Sequence, residues 1–228
     1  MSNSNHKIGI IGTGYVGLVT GACFADKENS VICFDIDQKR LDKLSTGLVP
    51  FFEPGLSEKV KKNYTNGSLK FSLPNKKLIN DVDIIFVCVG TPNDGSGKTD
   101  LSQLNSFIDF FLENVTSEKI LVLRSTIPVG TCSNLRKRLD AESSLNHMIC
   151  SNPEFTKEGD AIYDFENPDR VIIGIPPSEE LKQKFISLYK PFISKEKIIF
   201  MSTESSELTK YASNAFLATK VSFINDMA

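Results

Sequence analysis

The chain has 228 residues, is 40% hydrophobic and 24% charged, and carries a net charge of −2. That composition suits a globular protein with room for one large domain, or one domain and part of another. It gives no bulk attraction to nucleic acid or to an anionic membrane, and the longest strongly apolar run, 84–89, is far too short to cross a bilayer.

In chain order, the polar start MSNSNHK has no apolar segment behind it, so it reads as a frayed tail and not as a signal peptide. Strand-like runs are expected at 7–12, 30–35, 68–72, 82–89, 119–124 and 147–150. Helical spacing is expected at 15–27, 38–45, 56–64, 101–114, 134–141 and 204–228. Strand alternating with helix predicts an α/β fold, a Rossmann-like doubly wound parallel sheet followed by the start of a long helix. Near-continuous apolar strands such as DIIFVCV fit parallel strands covered on both faces. The last helix holds no glycine or proline and is still running at residue 228. Five scattered cysteines without a CxxC pair predict reduced thiols in a cytoplasmic protein, and neither a disulfide framework nor a metal site.

GTGYVG at 12–17 follows the first strand and opens the first helix. Such a glycine pattern alone is weak, but here a second strand ends in Asp35, 18 residues after Gly17, near the spacing of a ribose-binding acid. Gly12 then allows the sharp turn, Gly14 lets backbone approach a pyrophosphate, and Gly17 lets the helix pack close to the strand. Free amides from Tyr15 onward face the phosphates. Asp35 favours NAD over NADP, a preference softened slightly by nearby Arg40. FAD proteins and NAD sensors share this fingerprint, so it marks a binding module before it marks an enzyme.

Three polar loops follow strands: VCVGTP (87–92), RSTIPVGT (124–131) and CSNPEFTKEG (150–159). Each alone reads as a capped turn. Together they supply hydroxyls and backbone groups around one crevice. Glu154 and Glu158 stand four apart and share a face if that stretch is helical. A carboxylate there serves as a base if burial raises its pKa, and otherwise decorates a helix start. Lys210 and Asn214 are also i and i+4, in an otherwise apolar helix.

These stretches resemble the N-terminal portion of the UDP-glucose/GDP-mannose dehydrogenase family. The resemblance is carried by GIIGTGYVGL (9–18), PFFEPGL (50–56), CVGTP (88–92), STIPVGT (125–131), SNPEFTKEGDA (151–161), NPDRVIIG (167–174) and ELTKYASNAFLATKVSFIN (207–225). It implies oxidation of a sugar CH₂OH to a carboxylate with two NAD⁺, through a cysteine-bound thiohemiacetal and thioester. By resemblance, the cofactor contacts fall at Gly12, Gly14, Tyr15, Val16, Gly17, Asp35, Arg40, Thr91, Ser125, Thr126 and Glu158. The catalytic groups fall at Thr126, Glu154, Lys210 and Asn214, and substrate contacts at Glu154, Phe155, Thr156, Lys157, Lys210 and Asn214. Glu154 matches the acid that handles water in thioester hydrolysis, and Lys210 with Asn214 the pair that stabilises oxyanion character.

The leading substrate implied is UDP-glucose, with GDP-mannose the closest competitor; a 3-hydroxyacid or 6-phosphogluconate-type dehydrogenase fits PFFEPGL and SNPEFTKEG poorly. The expected division is a NAD-binding domain at 1–202 and the start of a central, homodimer-forming helix at 203–228. The family's nucleophile sits in a Cys-Phe-Pro-Lys-Asp stretch that does not occur here. The polypeptide is therefore expected to be part of a longer enzyme, binding NAD but not completing the oxidation alone. Phe216, Leu217, Val221, Phe223 and Ile224 are expected to need a covering partner.

Overall fold

The computed structural model describes residues 5–228. Among these residues the strands are β1 (Lys7–Ile11), β2 (Ser30–Phe34), β3 (Leu69–Ser72), β4 (Ile84–Val87), β5 (Ile120–Leu123), β6 (Met148–Ser151), β7 (Val171–Gly174) and β8 (Ile198–Met201). They form one sheet in the order β3-β2-β1-β4-β5-β6-β7-β8. Every pairing is parallel except β6 with β7, which meet antiparallel at Ser151 and Gly174.

The apolar runs are buried on both faces because helices cover both. Ile8 and Ile10, Val31 and Cys33, Ile84 and Phe86, and Ile120 and Val122 belong to one core. Their strand neighbours Ile11, Ile32 and Phe34, Ile85 and Val87, and Leu121 and Leu123 belong to the other. This is the period-two alternation of a strand read on a two-sided sheet. The first core takes in Leu18, Val19 and Phe24 of α1 (Tyr15–Ala25), Leu44 of α2 (Gln38–Ser45) and Val60 of α3 (Leu56–Thr65). The second takes in Ile79 of α4 (Lys76–Asn80), Leu104, Phe107 and Phe111 of α5 (Ser102–Asn114), and Leu135 and Leu139 of α6 (Thr131–Glu142).

Several expectations need correction. Residues 1–4 of the expected frayed tail lie outside the described residues. Asn5 and His6 are tied down: Asn5 Oδ1 accepts from the Ser30 amide at 3.0 Å, and the His6 amide donates to Asn29 Oδ1 at 3.0 Å. The α6 helix begins at Thr131, three residues before the expected start, because Gly130 (φ 91°) turns the chain into it. Beyond residue 151 periodicity predicts no element before the last helix. The structure places α7 (Ala161–Glu166), β7, α8 (Glu179–Tyr189), a 3₁₀ turn (Lys195–Lys197) and β8 there. The two strands are four residues each, too short for periodicity to identify. The α8 helix starts at a Ser178 cap whose hydroxyl accepts from the Leu181 amide.

The last helix, α9 (Thr203–Met227), is capped by Ser202, which accepts from Ser205 N. Its first turns pack on β7, burying Ser206, Glu207 and Lys210. From Asn214 onward its residues are exposed.

Candidate functional site

The parallel pairings set the carboxyl ends of β1, β2, β4, β5 and β6 along one edge of the sheet. Strand order reverses between β1 and β4, and such a switch point opens a crevice at that edge. The glycine loop lies in it. Gly12 has φ +92°, and a Cβ there would sit 2.9 Å from the Cys88 carbonyl oxygen at the end of β4. A Cβ on Gly17 would sit 2.0 Å from the Gly12 oxygen. Any side chain at either place pushes α1 off the sheet. Around Gly14 nothing lies within 4 Å of an added Cβ, so the helix start is open to a ligand. The first-turn amides of α1, including Tyr15, Val16 and Gly17, have no carbonyl partner within the helix.

A cleft of about 820 Å³ runs from Gly12 and Gly14 to Asp35 and Arg40, walled by Ile36, Phe107 and Phe110. Ile36 is 87% exposed, an apolar face with no protein cover. Asp35 is buried. Its Oδ2 accepts from the Thr13 amide (2.8 Å), the Thr13 hydroxyl (2.5 Å) and Arg40 Nη1 (3.3 Å), and its Oδ1 accepts from the Asp37 amide (3.0 Å). Burial pushes the Asp35 carboxyl up, but the Thr13 hydroxyl, the Asp37 and Thr13 amides and Arg40 outweigh it and hold it below its ordinary value. The carboxylate thus shapes the glycine loop through Thr13, a role the sequence pattern did not reveal, because Thr13 is only an unspecified position between two glycines. An open helix start, glycine-only packing and an ionised acid at the far end fit a dinucleotide.

Loops after β4 and β5 are stitched together. The Thr91 hydroxyl donates to the Thr126 carbonyl at 2.8 Å, and the Ser125 hydroxyl to the Val89 carbonyl at 2.6 Å. Thr91 and Ser125 therefore shape backbone, while the Thr126 hydroxyl makes no hydrogen bond found among the described residues. Buried Glu207 of α9 accepts from the Gly130 and Cys132 amides at 2.6 and 2.7 Å, fastening the 124–131 loop and the start of α6 to the last helix. Glu207 lies in the helix whose sequence points to Lys210 and Asn214, and no local pattern marks it.

Glu154 meets Lys210 across 56 positions of sequence. Lys210 Nζ lies 3.0 Å from Glu154 Oε1 and 2.6 Å from the Glu154 carbonyl oxygen, and 5.3 Å from the Phe155 ring centre. Glu154 Oε2 accepts from both the amide and the hydroxyl of Thr156, each at 2.7 Å. Burial pushes the Glu154 carboxyl up, yet Thr156 and Lys210 together bring it below its ordinary 4.5. This corrects the expectation of a base tuned by burial, since the cation and the Thr156 donors outweigh desolvation. Glu158 is not on a shared face with Glu154. Residues 152–158 are not helical, and Glu158 is exposed on the turn before α7. Lys157 is exposed too, its ammonium within 3.4 Å of Asp160. Lys210 is buried and engaged, whereas Asn214, one turn on, is exposed.

Arg124 and Asn152 are single residues that no sequence pattern marks. Arg124 is buried, donating to Asn152 Oδ1 at 2.6 Å, and Asn152 Nδ2 donates to the Ile172 carbonyl. This pairing braces the backbone just before Glu154. Among the described residues, no group of three or more His, Cys, Asp or Glu side chains suits a metal ion, and no helix is long and apolar enough to cross a membrane.

Residues 6–193 match the model of the UDP-glucose/GDP-mannose dehydrogenase family, NAD binding domain. The chain belongs to that family. NAD is accordingly the cofactor its fold implies. Residues 204–228 match the family's central domain. The chain is similar to UDP-glucose 6-dehydrogenases of Rhizobium meliloti (39% identity over 97% of this chain and 52% of that protein) and Bacillus subtilis (41% over 97% and 48%). In structure it is similar to a UDP-glucose dehydrogenase from Pyrobaculum islandicum, with a TM-score of 0.91 at 31% identity, covering 99% of this chain and 53% of that one. A GDP-mannose dehydrogenase from Pseudomonas aeruginosa superposes with a TM-score of 0.87 at 29% identity, covering 96% and 51%. The chain spans about half the length of the curated relatives it matches.

Proposed function

We propose that residues 1–228 are the cofactor-binding half of a nucleotide-sugar 6-dehydrogenase that converts UDP-glucose to UDP-glucuronate. The observation that carries this reading is the Glu154–Lys210 pair, seated after β6 on the same sheet edge as the dinucleotide cleft. NAD⁺, when bound, accepts the electrons removed at the sugar carbon. The chain's own groups do the rest. Lys210 sets a positive charge where a sugar oxygen becomes negative, a task for a fixed cation in a water-poor site. Glu154, kept ionised, anchors that ammonium and takes a proton from an incoming water. The Thr126 hydroxyl and the Asn214 amide offer further hydrogen bonds, Phe155 to Lys157 border the sugar, and Glu158 stands toward the nicotinamide half.

None of the five cysteines supplies the nucleophile in this reading. Burial pushes the Cys23, Cys88 and Cys150 thiols up to about 12 and those of Cys33 and Cys132 further still. A reactive thiol needs the opposite shift. The thiol therefore has to come from outside residues 1–228. GDP-mannose is the second reading, favoured by the superposition on the Pseudomonas enzyme. Calorimetry on purified 1–228 is expected to show NAD binding, while NADH absorbance with UDP-glucose stays flat. UDP-glucuronate formed by this chain alone would refute its incompleteness; no heat with NAD would refute the whole reading.

The proposed division is a cofactor domain at 1–202 and a helix start at 203–228 that pairs two copies. Phe216, Leu217 and Ile224 are 67, 61 and 62% exposed on that helix. Light scattering is expected to give a dimer's mass, and a monomer at high concentration contradicts the pairing.

A further inference from the structure

A further buried carboxylate ties the two halves of the crevice together. Glu53, in PFFEPGL, is 7% exposed, and no basic side chain pairs with it among the described residues. Its Oε2 accepts from the Tyr15 hydroxyl at 2.8 Å and from the Gly159 amide at 3.0 Å, and its Oε1 accepts from the Ile162 amide at 3.1 Å. Tyr15 is the first residue of α1, where the cofactor phosphates are expected. Gly159 and Ile162 close the loop that carries Glu154 and open α7. The Tyr15 hydroxyl has a second acceptor within reach, the Lys157 carbonyl at 2.7 Å, on that same loop. Burial and the Glu53 carboxylate push the Tyr15 hydroxyl up, so it stays a donor.

A carboxylate out of water without a counter-charge is tolerable only while its hydrogen bonds are made. Here the donors come from two separated stretches, α1 and the 157–162 segment, and the acceptor from a third. All three must be in place together for the charge to be satisfied. The start of α1 and the Glu154 loop therefore do not shift independently.

We propose that Glu53 is a positioning residue that couples dinucleotide binding at the start of α1 to the ordering of the loop carrying Glu154. Cofactor seated on α1 holds Tyr15 in place, Tyr15 holds Glu53, and Glu53 holds Gly159 and Ile162. This rests on the reading that the dinucleotide sits at the glycine loop, and the experiment separates the two.

Lys157 is exposed on the coupled loop, so trypsin cleavage after it reports the loop's opening. Calorimetry measures NAD affinity on the same preparations. In the wild-type chain, saturating NAD is expected to slow cleavage at Lys157 by about tenfold, within the usual range of coupling between sites. In Glu53→Gln the amide turns a donor toward donors. Cleavage without NAD is expected to quicken, and the protection by NAD to fall below about twofold although NAD still binds. Tyr15→Phe keeps the Glu53 bonds to Gly159 and Ile162 but removes the Tyr15 contacts to Glu53, to the Gly159 amide (3.1 Å) and to the Lys157 carbonyl, and is expected to lose protection likewise; protection retained in it overturns the coupling if Glu53→Gln does not fold. NAD binding that leaves wild-type cleavage unchanged, or equal protection in wild type and variant, overturns the coupling alone. Absence of NAD binding to the wild type overturns the cofactor reading and the coupling with it.

Discussion

Lys210→Met is expected to destabilise the chain by about 3 kcal/mol at neutral pH, the low end for breaking one half of a buried ion pair. The side chains of Lys210 and Glu154 are only 11 and 14% exposed, so removal of the ammonium strands a carboxylate that water reaches poorly. Methionine keeps most of the volume, so the loss reports charge and not a cavity. The pH dependence gives the sign. In the wild type, Glu154 titrates below its ordinary 4.5, so its contribution is present above that value and lost as pH falls through the folded pKa. In the variant, burial is opposed only by the Thr156 donors, so the folded pKa moves up and protonation in acid relieves the stranded charge. Urea denaturation at pH 7 and pH 3 should show the gap between the two proteins closing in acid. A gap that stays constant with pH would show that Glu154 does not depend on Lys210.

Asp35→Ala is expected to weaken NAD binding by about 1–3 kcal/mol, the scale of hydrogen bonds to a charged group. That is a loss of about 5- to 150-fold. It is also expected to raise NADP affinity relative to NAD, because Arg40 loses its partner and the repulsion of a 2′-phosphate disappears. The structure adds a complication that can be tested. Asp35 holds the Thr13 amide and hydroxyl as well as facing the cleft, so its removal loosens the glycine loop. Thr13→Val removes one of those bonds and leaves the carboxylate in place. Calorimetry should find Thr13→Val much milder than Asp35→Ala. Equal losses would mean that Asp35 acts only through the loop and not on the ribose.

These two sites differ in how readable they were. The dinucleotide half was legible because its parts lie within one strand–helix–strand unit. The three glycines and Asp35 span 24 positions, from Gly12 to Asp35 inclusive. Their spacing is dictated by the length of α1 and the return to β2. The apolar runs of β1, β2, β4 and β5 likewise announced strands covered on both faces. The region after residue 151 was opaque. β7 and β8 are four-residue apolar segments, and β7 runs antiparallel to β6, which no repeating strand–helix pattern anticipates. The condition for Glu154 and Glu158 to share a face, a helix there, is not met because Thr156 folds back on Glu154 with two hydrogen bonds that compete with a helix.

By itself the sequence determined the α/β class, the position of the glycine turn, the acid at the end of β2 and the residue types around the crevice. Those depend on interactions between near neighbours along the chain. Only the tertiary structure decided which charges meet. Lys210 reaches Glu154 because α9 packs on β7, Glu53 reaches Tyr15 and Gly159 because its loop meets the start of α1 and the 157–162 segment, and Glu207 caps α6 because α9 crosses its start. Each of these pairings costs desolvation and is favourable only when partners far apart in sequence arrive together. No local pattern records that condition, and packing of the sheet and its helices supplies it.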